Sequence, residues 1–148
     1  MIRVSKSVDK GTRWETTIVD YINEWAGRKV CHRIVKHGNR DEGDILLHVD
    51  DVILSIEAKW NKDYPNAALE RDFRGQADIE CLHAGTDGGL LVLNRYRRQT
   101  DRAEVWMHHP TTCLLHGHEA NGPATDNDWA CMRMDDFCTL CFGPRKEK

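Results

Sequence analysis

Apolar residues recur near the start of the chain at Trp14, Ile18, Tyr21, Ile22 and Trp25, at spacings of four, three, one and three. Such spacing lays one stripe along an α-helix. Ser7 or Asp9 is placed to cap its start and Gly27 to end it. Val30 to Lys36 then alternates weakly, as an edge strand does, before the turn-rich segment HGNRDEG. Asp44 to Val49 and Val52 to Lys59 are two β-rich runs with only Asp50 and Asp51 between them, which predicts a hairpin, although Asp-Asp is not a favoured two-residue turn. After Pro65, Leu69, Phe73 and Ala77 recur at four-residue spacing and predict a second helix stopping at Gly85. Gly75 inside it costs about 1 kcal/mol relative to alanine. GGLLVLN, Gly88 to Asn94, suits a buried strand, and AEVWMHH is expected to be the last strand of the sheet. Beyond Pro110 the pattern loosens through HGHEANGPATDND and tightens again into a strand and helix in WACMRMDDFCTLC, with Asp135 or Asp136 as the helix cap.

The order helix, three strands, helix, two strands predicts a mixed α/β domain with helices packed on a central sheet over residues 1–110. Residues 111–148 form a C-terminal extension, expected to pack on the same domain or at a dimer interface. There is no internal repeat, no glycine-rich dinucleotide fingerprint and no P-loop.

Composition narrows this picture. With 148 residues, 40% hydrophobic and 30% charged, the chain fits one domain with a real core. No apolar run approaches the roughly 20 residues that span a bilayer, and MIRVSKSVDKG lacks the apolar centre of a signal peptide. A cytoplasmic protein with no membrane partner is expected, in a bacterial, archaeal or phage-infected cell. The six cysteines are scattered and are expected to be reduced thiols. A formal charge of -3 argues against a surface coated in positive charge. It leaves nucleic acid open, because local charge decides binding. RKVCHRIVKHGNR, Arg28 to Arg40, carries five basic residues and no acid.

The hairpin contains an anomaly. With Asp50 and Asp51 as its turn, Asp44 lies opposite Glu57, and opposed like charges in a sheet are destabilising. Either one carboxylate is protonated, a lysine neutralises the pair, or a divalent cation sits between them. Lys59 emerges on the same face as Glu57 but would leave the trio net negative. That favours Mg²⁺, for which Mn²⁺ can substitute, since hard cations take oxygen ligands and magnesium commonly uses one or two carboxylates. The alternative is a solvated salt-bridge cluster, but Leu46, Ile53 and Ser55 on the same face are expected to be covered. Glu15 falls at the margin of the first helix's stripe, where it can look toward the sheet, and Gly11 precedes it by one turn. Gly11 leaves backbone open to a close neighbour such as a phosphate. Gln76 falls at the centre of the second helix's stripe, where its amide needs a partner: a backbone group, a phosphate or a metal-bound water.

KGTRWE at Lys10 to Glu15, GD at Gly43 and Asp44, and EAK at Glu57 to Lys59 resemble the motif series of the PD-(D/E)XK nucleases. The Lys-Gly, three residues, then Glu opening is most similar to archaeal-type Holliday-junction resolvases, and the likeness covers about Lys10 to Trp106. Gly43 stands where the family usually has proline, and Thr16 where the archaeal enzymes often place arginine, with Arg13 nearby. The resemblance implies a restriction-endonuclease-like fold and a site in which Asp44, Glu57 and the Ala58 carbonyl bind Mg²⁺. Glu15 would bind directly or through water, and Lys59 would orient and help deprotonate the attacking water. It further implies DNA contacts from Lys10, Gly11, Arg13, Arg33, Lys36, Arg40 and Gln76, paired nicks in four-way junctions that leave 5′-phosphate and 3′-hydroxyl ends, and a homodimer with two sites. The rival expectations are a restriction or repair nuclease of the same superfamily, and a non-catalytic DNA-binding or assembly module. NRYRRQTDR, Asn94 to Arg102, is a second basic segment and is read as a solvated loop.

Cys113-x-x-His116 and Cys138-x-x-Cys141 have the spacing of a Cys₃His zinc site, with His118 and Cys131 as spare ligands. The competing reading places Cys138 and Cys141 on one face of a packed or interfacial helix.

Overall fold

The computed structural model describes residues 6–34, 45–61, 63, 65–94, 99–116 and 128–146, with side chains from residue 12 onward. One six-stranded sheet runs β1 (Cys31–Arg33), β2 (Ile45–Val49), β3 (Val52–Lys59), β4 (Gly88–Leu93), β5 (Glu104–His108) and β6 (Trp129–Arg133), in that spatial order. All neighbours are antiparallel except β3 and β4. A parallel pair needs a long crossover, and α2 (Ala67–Ala84) supplies it. α1 (Lys6–Ala26) precedes the sheet, a short α3 (His109–Leu115) follows β5, and α4 (Met134–Phe142) follows β6.

Strand alternation gives the sheet two different faces. Leu54 and Ile56 of β3 point into the larger core with Ile45, Leu47, Leu90, Val92, Val105 and Met107, covered by Trp14, Ile18 and Ile22 of α1 and by Met134 and Phe137 of α4. On the other face Leu91 and Leu93 meet Phe73 and Ala77 of α2. β4 is buried at every position because it lies under both layers. The close approach of α2 requires Gly89, where a Cβ would lie 2.7 Å from the Ala77 carbonyl oxygen.

The hairpin takes the predicted register, with Val49 opposite Val52 and Ile45 opposite Ile56. Asp50 turns it at φ 52, in the left-handed region that aspartate tolerates better than most residues. Gly27 ends α1 at φ 69 as expected. Asn23 joins that helix end to β1: its Oδ1 accepts from the Val30 and Cys31 amides, and its Nδ2 donates to the Cys31 carbonyl. α2 is capped by Asn66, whose Oδ1 accepts from the Leu69 amide, and ends at Gly85 in the left-handed region.

Several expectations are corrected. Among the described residues β1 is three residues long, shorter than the predicted run, and the helix α1 starts at Lys6, so Ser7 and Asp9 lie inside it. β5 is not the last strand: β6 pairs with it from Glu104 opposite Arg133 to His108 opposite Trp129. Only long-range pairing gives this weakly patterned segment its place. α4 starts at Met134 after Arg133, so Asp135 and Asp136 sit in its first turn rather than at its cap. Asp135 instead accepts from the Arg133 guanidinium at 2.7 and 3.1 Å.

Candidate functional site

The chemistry gathers at the C-terminal end of β3. Glu57 and Lys59 alternate onto the α2 face, where Lys59 Nζ lies 3.1 Å from Glu57 Oε1. Glu57 is 9% exposed, so its carboxylate is held in a partly desolvated setting. The Phe73 ring of α2 lies beneath the ammonium, 5.4 Å from Nζ to ring centroid. A cation over a ring face is attracted by about 0.5–2 kcal/mol according to its exposure. Lys59 is therefore pinned between a carboxylate and an aromatic face.

Pairing with β2 is described as far as Ile45 opposite Ile56. Asp44 lies outside the described residues; its chain neighbour is paired with the chain neighbour of Glu57. The β4 side of β3 continues further. The Lys59 carbonyl accepts from the Asn94 amide at 3.4 Å, and the Asn94 side chain bonds both the amide and the carbonyl of Asn61. Strand carbonyls alternate in direction, so that of Ala58 points to the opposite, β2 side, beyond the last described pair.

α1 brings a second carboxylate toward this end of the sheet. Trp14 packs edge-to-face on Trp60, the residue after Lys59, with centroids 5.6 Å apart. Glu15 follows Trp14 and meets Arg33 of β1 at 2.9 Å; the Glu15 side chain is 14% exposed and that of Arg33 43%. The helix thus places Glu15 beside the strand edge, as its position at the stripe margin predicted. Arg33 was expected as a phosphate contact, and its guanidinium is engaged by Glu15.

The remaining expected contacts are dispersed. Arg13 is exposed on α1; Lys10 and Gly11 lie in the same helix, but their side chains are outside the described set, as are Lys36 and Arg40. Gln76 is exposed and not, as predicted, at the centre of a buried stripe, because α2 turns Phe73 and Ala77 inward and leaves Gln76 to solvent. Ser55 is buried and Leu46 half-buried as expected, whereas Ile53 is 37% exposed.

A metal ion fits the donor chemistry here in part. The Glu57 carboxylate and the Ala58 carbonyl are hard oxygen donors on consecutive residues of one strand, suited to a cation that keeps several waters. Among the described residues, no group of three or more His, Cys, Asp or Glu side chains converges to hold a metal. Cys113, His116, Cys138 and Cys141 are all among those residues and form no such group. Cys138 is turned into the core with its Sγ 3.9 Å from Met134 Sδ, while Cys113 on α3 lies 3.5 Å from His109 Nε2. His116 is exposed at the end of α3, and His118 is outside the described residues. Burial pushes the Cys141 thiol up to about 12 and raises that of Cys138 as well.

Phe73, Asn94 and the Arg33–Glu15 pair were not singled out from the sequence. Phe73 was visible only as one member of an apolar stripe, and Asn94 only as the polar residue ending GGLLVLN.

No family model matches the chain, and no curated protein does. Among solved structures, it is similar to Archaeoglobus fulgidus Hjc, a Holliday junction resolvase from an archaeal hyperthermophile. The match covers 84% of this chain and 89% of that one, with a TM-score of 0.45 and 16% sequence identity.

Proposed function

We propose that this protein is a Mg²⁺-dependent DNA endonuclease that cuts four-way junctions with paired nicks as a homodimer. The observation that carries the reading is the presentation of Glu57 and Lys59, 3.1 Å apart, on one face of β3 toward its C-terminal end. A partly buried carboxylate and ammonium are costly as mere scaffold, since burying an ion pair gains little net stability. They suit a phosphate and a water.

In this reading Asp44, Glu57 and the Ala58 carbonyl hold the cation, with Glu15 bound directly or through water. When bound, the ion lowers the pKa of coordinated water and offsets charge on the phosphate. Lys59 holds the attacking water in line and stabilises the negative charge growing on the phosphate oxygens. Glu57 and the Phe73 ring keep the ammonium from swinging away. The water oxygen gives up a proton to solvent and bonds to phosphorus, the bond to O3′ breaks, and the departing O3′ takes up a proton from solvent, leaving 5′-phosphate and 3′-hydroxyl ends. Arg13, Lys10, Lys36 and Arg40 would contact the backbone of the DNA arms.

The test is incubation with four-way junction, nicked, flap and linear DNA, with Mg²⁺ or EDTA. Symmetric metal-dependent nicks in the junction are expected, with Asp44→Asn, Glu57→Gln and Lys59→Met each slowing cutting by about 10²-fold or more while leaving junction binding intact. Equal cutting of linear duplex would replace junction selectivity by a general nuclease. Binding without cutting under Mg²⁺ and Mn²⁺ would leave a DNA-binding module.

A further inference from the structure

We infer that Asn94 is a positioning residue for the site on β3, an inference that rests on the nuclease reading for its activity readout but not for its binding and exchange readouts. Asn94 is 5% exposed and directly follows the last residue of β4. In a parallel ladder, a residue at this place donates its amide to the residue before its partner and accepts, through its own backbone carbonyl, from the residue after. Asn94 makes the first bond in the ordinary way, to the Lys59 carbonyl at 3.4 Å. The second is different: the Asn61 amide is taken at 2.7 Å by the side-chain Oδ1. Nδ2 then donates to the Asn61 carbonyl at 2.9 Å. One side-chain amide thus completes the ladder beyond the point where the strand pairing ends.

The consequence falls on Ala58 and Lys59. Over residues 57–59 β3 pairs with β4, Glu57 opposite Leu91 through Lys59 opposite Leu93. Bonds to Lys59 and Asn61 fix the chain on both sides of Trp60, which sets the direction of the Ala58 carbonyl and the root of the Lys59 side chain. A site of this kind loses rate when its donors shift by about an ångström. Leucine or valine at position 94 would continue the apolar run but supply neither bond.

Asn23 provides an internal control. It makes three side-chain bonds to backbone groups of Val30 and Cys31, about two turns along α1 from Glu15. Asn94→Ala is expected to weaken Mn²⁺ binding, measured by isothermal titration, by about 10- to 100-fold, the usual cost of removing a group that orients a metal ligand. It should lower kcat for junction cutting by a similar factor with KM for DNA little changed. Asn23→Ala should lower the melting temperature yet leave Mn²⁺ affinity and kcat within about two-fold. Asn94→Ser, which keeps a short hydroxyl, should fall between wild type and alanine and serves if the alanine variant does not fold.

Amide exchange in the wild type supplies a readout independent of any variant. The Asn61 amide should exchange slowly, and exchange as fast as an open loop would overturn the inference. Equal effects of Asn94→Ala and Asn23→Ala on Mn²⁺ affinity would overturn it too. A wild type that binds Mn²⁺ but cuts no DNA, with binding weakened only at position 94, removes the nuclease reading and supports the positioning role. A wild type that binds no Mn²⁺ removes both.

Discussion

Gly89 and Gly75 are both glycines next to or within α2, with opposite consequences for a methyl group. At Gly89 an added Cβ would meet the Ala77 carbonyl oxygen at 2.7 Å and Cys81 Cβ at 3.1 Å, so Gly89→Ala must push α2 off the sheet. A loss of about 1–3 kcal/mol is expected in urea unfolding. At Gly75 nothing lies within 4 Å, and the residue is in the helix interior, so Gly75→Ala should stabilise by up to about 1 kcal/mol. Both glycines look alike as letters; only the distance to a neighbouring backbone separates them. Buried thiols set a pH dependence at the same scale. Burial pushes Cys31 up to about 12 from the ordinary 9.0, and Cys141 up to about 12. Between those values the unfolded chain has lost protons that the native state keeps. The unfolded state then binds fewer protons, so stability is full below about pH 9 and falls as pH rises toward 12, by roughly 1.4 kcal/mol per pH unit for each fully buried thiol. Urea melts at pH 8 and 10 should show the fall, and Cys31→Val should make it shallower. An unchanged slope would mean that the Cys31 thiol does not stay protonated in the fold.

At the scale of elements, α4 belongs to the main core. Phe137, Met134 and Cys138 are fully buried against residues of α1 and the central strands. The tail beyond α4 returns to α1: Trp25 Nε1 donates to the Gly143 carbonyl at 2.8 Å and the Lys146 amide to the Trp25 carbonyl at 3.0 Å. Phe137→Ala should therefore cost about 3–5 kcal/mol, measured by denaturant unfolding. A chain ended at Pro110 should lose its cooperative melt, because the α1 side of the sheet would be left uncovered. Sequence pattern located β2, β3, α2 and β4 well because each carries a strong local signal: alternation, a four-residue stripe, or an unbroken apolar run. α3 has seven residues and no such signal, and β6 is exposed or half-exposed along its length, so neither is defined by its own residues. The hairpin register followed from Asp50 and Asp51 alone, since a two-residue loop leaves one way to pair Val49 with Val52.

For the whole molecule, the net charge of -3 gives no general attraction to DNA, so binding under the proposed function depends on a local basic surface. Junction affinity should fall steeply with salt, and Arg13→Ala should reduce the slope of log affinity against log salt by about one. A salt-independent affinity would remove phosphate contacts from the reading. The sequence by itself determined the alternation that puts Glu57 and Lys59 on one face, the register that pairs Ile45 with Ile56, and the stripe that turns Glu15 to the helix margin. These follow from fixed periods of 2 and about 3.6 residues, which local chemistry obeys before any tertiary contact forms. Tertiary structure decided what those side chains meet. Phe73 reaches Lys59 because α2 crosses over the sheet, Arg33 reaches Glu15 because β1 lies beside α1, and Asn94 reaches Asn61 because β4 is parallel to β3. Each of these contacts joins residues far apart in the chain, and the packing of whole elements, rather than any local period, sets the distance between them.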